Sequence, residues 1–96
     1  MDLGLQGKVA LVTGGSRGIG RAIVGRLADE GCAVAICGRS QETLDRAVGE
    51  LRERGTTAHG VVADVTAPGE VERFVDEAAA ALGGADLLVA NVGGAS

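Results

Sequence analysis

The stretch Thr13-Gly14-Gly15-Ser16-Arg17-Gly18-Ile19-Gly20 decides how this sequence is interpreted. It follows the apolar run 9–12, which is typical of a short strand buried on both faces. It precedes a segment, 18–30, in which Ile19, Ile23 and Leu27 fall on one helical face. Glycines between a strand and a helix allow a tight turn and a close backbone approach to a ligand. Because a helix N-terminus offers free N–H groups, the stretch predicts a phosphate-binding loop.

Strand and helix patterns alternate along the rest of the chain. Further apolar runs cover 33–37, 58–63 and 87–90. Ser40 is a predicted N-cap for a second helix, and Pro68 is predicted to open a third. The apolar stripes of these two helices are Leu44, Ala47, Val48 and Leu51, and Val71, Phe74, Val75, Ala78 and Leu82. Strands separated by such helices pair in parallel through right-handed crossovers. The pattern therefore predicts an α/β, Rossmann-type doubly wound parallel sheet, β-α-β-α-β-α-β, with strand order 3-2-1-4.

The predicted sheet is incomplete. Its fourth strand, 87–90, is entirely apolar, yet it would form an edge with unpaired backbone groups. Two helices would cover one face, and a single helix cannot cover the other face of four strands. We interpret residues 1–96 as the dinucleotide-binding N-terminal half of one domain, and we expect them to be unstable or self-associating alone.

Composition excludes several classes of function. The net charge of −4 argues against nucleic-acid or anionic-membrane binding, which both need a basic face. No apolar stretch approaches the ~20 residues of a membrane span, and residues 1–8 lack the pattern of a secretory signal. These features predict a cytoplasmic location. Cys32 and Cys37 are expected to be buried free thiols, and no metal site is predicted. The charged residues of the helices, Glu70, Arg52 and Arg73 among them, are interpreted as solvated faces, and His59 as surface or strand edge.

The glycine spacing Gly14-x-x-x-Gly18-x-Gly20 resembles the compact branch of the short-chain dehydrogenase/reductase family. Two more segments carry the resemblance, Asp64-Val65 after the third strand and Asp86 to Gly93 at the fourth. The second segment is similar to the family's Asn-Asn-Ala-Gly, with Ala90 in place of the first Asn and Val92 in place of Ala. Asn91 and Gly93 are retained.

The resemblance implies a set of cofactor-binding residues. They are Gly14, Ser16, Arg17, Gly18, Ile19, Gly20, Arg39, Ser40, Asp64, Val65, Asn91 and Gly93. Asp64 would lie near the adenine ring; its alternative role is that of a helix-capping or turn residue.

Residues after the second strand bear on the choice of cofactor. A carboxylate about 20 residues beyond the glycine loop would bind the ribose 2′-hydroxyl of NAD, but Gly38 occupies that position. Arg17 and Arg39 could instead converge on a 2′-phosphate, with Ser16 adding a hydroxyl. The pattern favours NADP. The alternative is that both arginines are solvated surface residues.

The resemblance also implies an activity. Family members transfer a hydride between the nicotinamide and a small carbonyl or secondary alcohol, and reductases of 3-oxoacyl thioesters and polyketides are common among them. The family's acid/base is a Tyr in Tyr-x-x-x-Lys, and this chain has no tyrosine and a single lysine, Lys8. We therefore predict no catalytic residue here and expect the chain to stop before them, with homo-oligomers forming at full length. Two alternatives stay open: a non-catalytic nucleotide-binding half-domain, and a chain completed by a partner polypeptide.

Overall fold

A computed structural model of the chain describes residues 4–15 and 18–90. Strands and helices alternate in the order β1 (Val9–Thr13), α1 (Gly18–Asp29), β2 (Ala33–Gly38), α2 (Gln41–Glu53), β3 (Ala58–Val62), α3 (Glu70–Leu82) and β4 (Leu87–Ala90). All strand pairs are parallel, and the order across the sheet is β3-β2-β1-β4. The predicted fold class, element order and strand order are confirmed.

The strand register brings the carboxyl ends of the central strands together. Thr13, the last residue of β1, is level with Cys37 of β2 on one side and with Ala90 of β4 on the other. The β1–α1 loop therefore leaves the middle of this edge. Since β2 and β4 flank β1, the carboxyl ends of β1 and β4 border the crevice at which open α/β sheets bind ligands.

Each face of the sheet has its own core. The side chains of Val12 and Ile36 pack with Val24 of α1 and Leu51 of α2 on one face. Leu11, Ala35 and Val61 pack with Phe74 and Ala78 of α3 on the other. All five residues of β1 are buried, as the continuous apolar run predicts for a strand covered on both sides. Two helices on one face and one on the other is the predicted arrangement.

The fourth strand is an edge with exposed leucines. Helix α3 packs over β1, β2 and β3, so its face of the sheet is thinly covered at β4. Leu88, which is paired with Leu11 and so faces that side, is 50% exposed, and Leu87 is 37% exposed. The predicted apolar edge is confirmed.

The buried face of α1 differs from the prediction. Ile19 is 74% exposed, and the buried residues are Gly20 and Val24. Ile23 and Leu27 lie half-buried against the core. Gly20 and Val24 are four residues apart and lie on one line facing the sheet, whereas Ile19 is turned about 100° away.

Helix α3 begins later than predicted. Its first residue is Glu70, not Pro68, and it is preceded by Gly69 with φ of 80°. A left-handed residue cannot continue a right-handed helix, so Pro68 belongs to the turn before it. Both cysteines are free and buried, as predicted. Within the described residues, no helix is long and apolar enough to cross a membrane.

Candidate functional site

The glycine loop after β1 has a backbone conformation that residues with a side chain rarely adopt. Gly14 and Gly18 have φ of 67° and 64°, in the left-handed region that favours glycine. The Gly14 N–H donates to the carbonyl of Cys37 at 3.1 Å, which ties the loop across the end of β2. The predicted role of these two glycines in a tight strand-to-helix turn therefore agrees with their conformation.

Gly15 is a constrained residue that the sequence interpretation did not single out. A Cβ at this position would lie 2.6 Å from Cγ2 of Ile36 and 2.9 Å from Cγ2 of Val24. The backbone thus lies directly on the junction of β2 and α1. Its position inside the glycine stretch was the available signal, but its close neighbours come from elsewhere in the chain.

The N-terminus of α1 is electrostatically suited to an anion. The first turn of α1 contains no acidic residue, whereas those of α2 and α3 carry Glu42, and Glu70 with Glu72. Its free N–H groups therefore face no carboxylate from the same turn. Exposed Ile19 stands at this end of the helix. Ser16 and Arg17, two of the predicted binding residues, lie outside the described residues.

The end of β2 brings two more predicted residues to the same edge. Arg39 and Ser40 are both exposed. The Ser40 Oγ accepts a hydrogen bond from the Thr43 N–H at 3.3 Å, so the predicted N-cap is confirmed. The Gly38 carbonyl accepts a hydrogen bond from the Ala63 N–H at 3.0 Å, which places the β2–α2 and β3–α3 junctions side by side.

Asp64 folds the turn that follows β3. Its Oδ1 accepts hydrogen bonds from the Thr66 N–H at 3.0 Å and from the Thr66 hydroxyl at 2.6 Å. These bonds, with a smaller contribution from the charge of Arg39, hold the pKa of the Asp64 carboxyl below its ordinary value. The turn role of Asp64 is confirmed, and its contact with adenine stays a prediction. Val65 is half-buried against the α3 side of the core.

Glu70 and Arg73 are not merely a solvated helix face, as the sequence analysis had interpreted them. The Arg73 guanidinium forms two hydrogen bonds with the Glu70 carboxylate, at 2.8 and 3.0 Å, and donates to the Val62 carbonyl at 2.6 Å. The Glu70 carboxylate also accepts the Asp64 N–H at 3.3 Å. Arg52 likewise donates to the carbonyl of Ala58, at 2.9 and 3.1 Å. The bonds to Val62 and Ala58 could not be predicted from residue types, because every residue has a backbone carbonyl.

The remaining predicted binding residues follow the fourth strand in the sequence. Asn91 and Gly93 lie outside the described residues. At the opposite end of β4, Asp86 binds β1 twice: its N–H donates to the Val9 carbonyl and its Oδ2 accepts the Val9 N–H, both at 2.8 Å. This pair fixes the register that brings Ala90 level with Thr13.

The structure thus gathers Gly14, Gly18, Arg39 and Asp64 from three different strand-to-helix junctions at one edge of the sheet. A glycine loop, a helix N-terminus free of carboxylates and an exposed cation suit a phosphate-containing, extended ligand. Among the described residues, no group of three His, Cys, Asp or Glu side chains is placed to hold a metal ion.

A sequence profile of the short chain dehydrogenase family matches residues 8–96. The chain belongs to this family. It is 40% identical, over 97% of its length, to the 3-oxoacyl-[acyl-carrier-protein] reductase of Aquifex aeolicus, of which it covers 38%. L-Sorbose reductase from Gluconobacter frateurii, solved with NADPH and L-sorbose, superimposes with a TM-score of 0.90 and 40% identity, over 97% of this chain and 36% of that one.

A third similar protein has the other nicotinamide cofactor. A short-chain dehydrogenase/reductase from Burkholderia phymatum, solved with NAD, superimposes with a TM-score of 0.82 and 34% identity, over 88% of this chain and 30% of that one. The family resemblance inferred from the glycine spacing is therefore confirmed. The chain spans about a third of the length of the curated relatives that it matches.

Proposed function

We propose that this chain forms the NADP-binding part of an oxidoreductase. The observation that carries the proposal is the glycine loop. Gly14 and Gly18 adopt left-handed φ, and a Cβ added at Gly15 would lie within 2.9 Å of the side chains of Ile36 in β2 and Val24 in α1. Such a loop lets backbone N–H groups approach a pyrophosphate, and the α1 N-terminus adds a favourable dipole. The cofactor's hydride chemistry would be supplied by the nicotinamide; the residues of this chain bind and orient it.

The preference for NADP rests on charge at the end of β2. Arg39 is exposed beside the Asp64 turn, and Gly38 leaves no carboxylate where one would repel a 2′-phosphate. Guanidinium groups make strong bidentate bonds to phosphate, so Arg39, Ser16 and Arg17 are the proposed 2′-phosphate ligands. Both NADPH and NAD occur in solved relatives of similar fold. The preference between NADP and NAD is therefore argued from side chains and not from the fold.

The proposed reaction is the reversible reduction of a small carbonyl compound to a secondary alcohol. A 3-oxoacyl thioester or polyketide is the favoured substrate class, because a 3-oxoacyl reductase is among the similar proteins. The chain contains no tyrosine and only Lys8 as a lysine, so we assign it no acid/base residue. Location in the cytoplasm and assembly into homo-oligomers are part of the same proposal.

Cofactor preference is the sharpest test of the proposal. Dissociation constants for NADPH and NADH would be measured by calorimetry on the protein in its natural length. We expect NADPH to bind more tightly, and Arg39→Gln to weaken NADPH binding roughly tenfold or more, the value of a lost charge-assisted hydrogen bond, with little effect on NADH. Arg46→Gln is the matched control, since Arg46 lies on α2 and pairs with Glu42 at 3.3 Å. Tighter binding of NADH would contradict the NADP assignment.

The exposed leucines of β4 favour one alternative, a chain whose sheet is completed by another polypeptide. An NADPH-dependent ketone reduction assay separates an enzyme from a non-catalytic binding module. Light scattering after size-exclusion chromatography separates a lone chain from one completed by a partner. Turnover by a protein of a single polypeptide type would exclude the alternative.

A further inference from the structure

Glu70 and Arg73 join both sides of the β3–α3 turn, and we call them the clasp. On one side, Arg73 donates to the carbonyl of Val62, the last residue of β3, at 2.6 Å. On the other, the Glu70 carboxylate accepts the N–H of Asp64 at 3.3 Å while it holds the guanidinium by two bonds. The chain from β3 into α3 is thus closed into a loop by side chains at the start of the helix.

The clasp does more than an ordinary ion pair on a helix surface. An exposed pair three residues apart contributes only a few tenths of a kcal/mol to a helix. Here, however, both side chains reach backbone groups outside the helix. Gly69, the N-cap of α3, has no side chain to bind the helix N–H groups. The Glu70 side chain bends back toward the preceding turn, where it accepts the N–H of Asp64.

Both members of the clasp are charged over the neutral range. The bonds from Arg73 hold the pKa of Glu70 below its ordinary value, and those to Glu70 hold the pKa of Arg73 above its own. Arg73 also pairs with Glu77 at 3.2 Å, one turn further along α3. That second pair does not touch the β3–α3 turn, so it offers an internal comparison.

We propose that Glu70 and Arg73 are positioning residues for the adenine half of the dinucleotide. They hold the β3–α3 turn in the form that presents Asp64 and Val65 at the carboxyl edge of the sheet. An ordered turn binds a ligand more tightly because less conformational entropy is lost on binding. The inference rests on the proposed function and adds two residues that do not themselves contact the ligand. It predicts that loss of the clasp affects adenine and not nicotinamide.

The test uses two fragments of the cofactor. Binding of adenosine 2′,5′-bisphosphate, which contains adenine, and of nicotinamide mononucleotide, which does not, is measured on the protein in its natural length. We expect Arg73→Met and Glu70→Ala to weaken the adenine fragment about five- to tenfold and to leave the nicotinamide fragment within twofold. Glu70→Gln keeps an acceptor for the Asp64 N–H and should lie between. Glu77→Gln, which breaks only the outer pair, should bind both fragments like the wild type.

Amide hydrogen exchange gives a readout that needs no ligand. In Arg73→Met the amides of Asp64 and Thr66 should exchange faster, while that of Thr43, bonded to the Ser40 cap, should be unchanged. Equal weakening of both fragments, or no weakening of the adenine fragment, in a folded variant would overturn the positioning role. If the wild type binds neither fragment, the proposed function is itself wrong and the positioning role falls with it. The two failures are distinguishable, since in the first the wild type binds both fragments.

Discussion

At Gly15 the limit on the side chain is space, not backbone conformation. The atoms that an added Cβ would meet are Cγ2 of Ile36 and Cγ2 of Val24, both on β-branched side chains that have few alternative rotamers. The backbone at Gly15 can lie this close to β2 and α1 only because no side chain projects from it. Packing of this kind is decided by three segments of the chain at once.

Gly15→Ala is therefore expected to destabilise the protein by about 1–3 kcal/mol, the usual cost of overpacking a core. The measurement is urea denaturation of single and double variants. Ile36→Ala removes the methyl group nearest the new Cβ, so it should couple favourably with Gly15→Ala. Ile36→Val keeps a Cγ2 methyl group and is the matched control, for which we expect little coupling. If Gly15→Ala is additive with both Ile36→Ala and Ile36→Val, the Ile36 side chain is not what limits the space at Gly15.

At the scale of elements, Asp86 sets how β4 meets β1. Its side chain accepts the N–H of Val9, a residue only 7% exposed, and its own N–H donates to the Val9 carbonyl. These bonds lie one residue before the first paired position of β4, so they begin the parallel ladder in its register. A slip by one residue would turn Leu87 and Val89 to the opposite face.

Asp86→Ala should cost about 1–3 kcal/mol, because the Val9 N–H loses its acceptor in a half-buried place. Asp86→Asn keeps an oxygen acceptor and should cost less. Asp76→Ala, on the exposed surface of α3, should change stability by no more than about 0.5 kcal/mol. Thermal and urea unfolding of the three variants provide the check. Equal stability of Asp86→Ala and the wild type would show that the β1–β4 register is held by the strands alone.

The β3–α3 turn predicts a dependence of stability on pH. The Glu70 and Asp64 carboxyls have their pKa values held below the ordinary 4.5 and 3.8. The unfolded chain then takes up protons first as pH falls, so stability present above about pH 5 is lost as pH drops through the lower, folded pKa values.

Glu70→Gln should make this acid-side loss of stability shallower. Glu72→Gln removes a charge from the same helical turn without removing the clasp, and it should keep the slope of the wild type. The free energy of unfolding, measured between roughly pH 3 and 6, tests both. An unchanged slope in Glu70→Gln would place the titrating groups elsewhere.

At the scale of the whole molecule, the sheet is less well covered at β4 than at its other strands, and most open on the α3 side. Val89 packs against the α1 and α2 side, whereas Leu88 is 50% exposed on the α3 side. An apolar edge strand with free backbone groups pairs readily with another strand.

A polypeptide limited to residues 1–96 is accordingly expected to self-associate, and Leu88→Lys should reduce the association. A lysine at the edge adds charge and a desolvation cost at the place where strands would pair. Ala80→Lys adds the same charge on the exposed surface of α3 and should have little effect. Sedimentation velocity over a range of concentrations tests this. A cooperatively folding monomer of the unsubstituted polypeptide would contradict it.

Much of this architecture could be predicted from local sequence. The apolar run of β1 and the glycine loop identify a buried strand followed by a ligand-binding turn, and Ser40 marks the start of α2 through a side chain that bonds three residues ahead. Alternating strands and helices then leave few topologies, and the doubly wound Rossmann arrangement among them has the strand order 3-2-1-4 that is observed. The start of α3 was predicted wrongly at Pro68, because proline is common both in the first turn of a helix and in the non-helical turn that precedes one.

What the sequence by itself determined is the type of the elements and their order along the chain, since periodicity and turn chemistry act over a few residues. Only the tertiary structure decided that Ile19 is exposed, that Gly15 is confined by Ile36, and that Arg73 reaches the carbonyl of Val62. Each of these depends on the distance between groups that lie far apart in the chain or on a backbone atom that every residue possesses. Residue types alone do not specify such distances, which are set when the helices pack on the sheet.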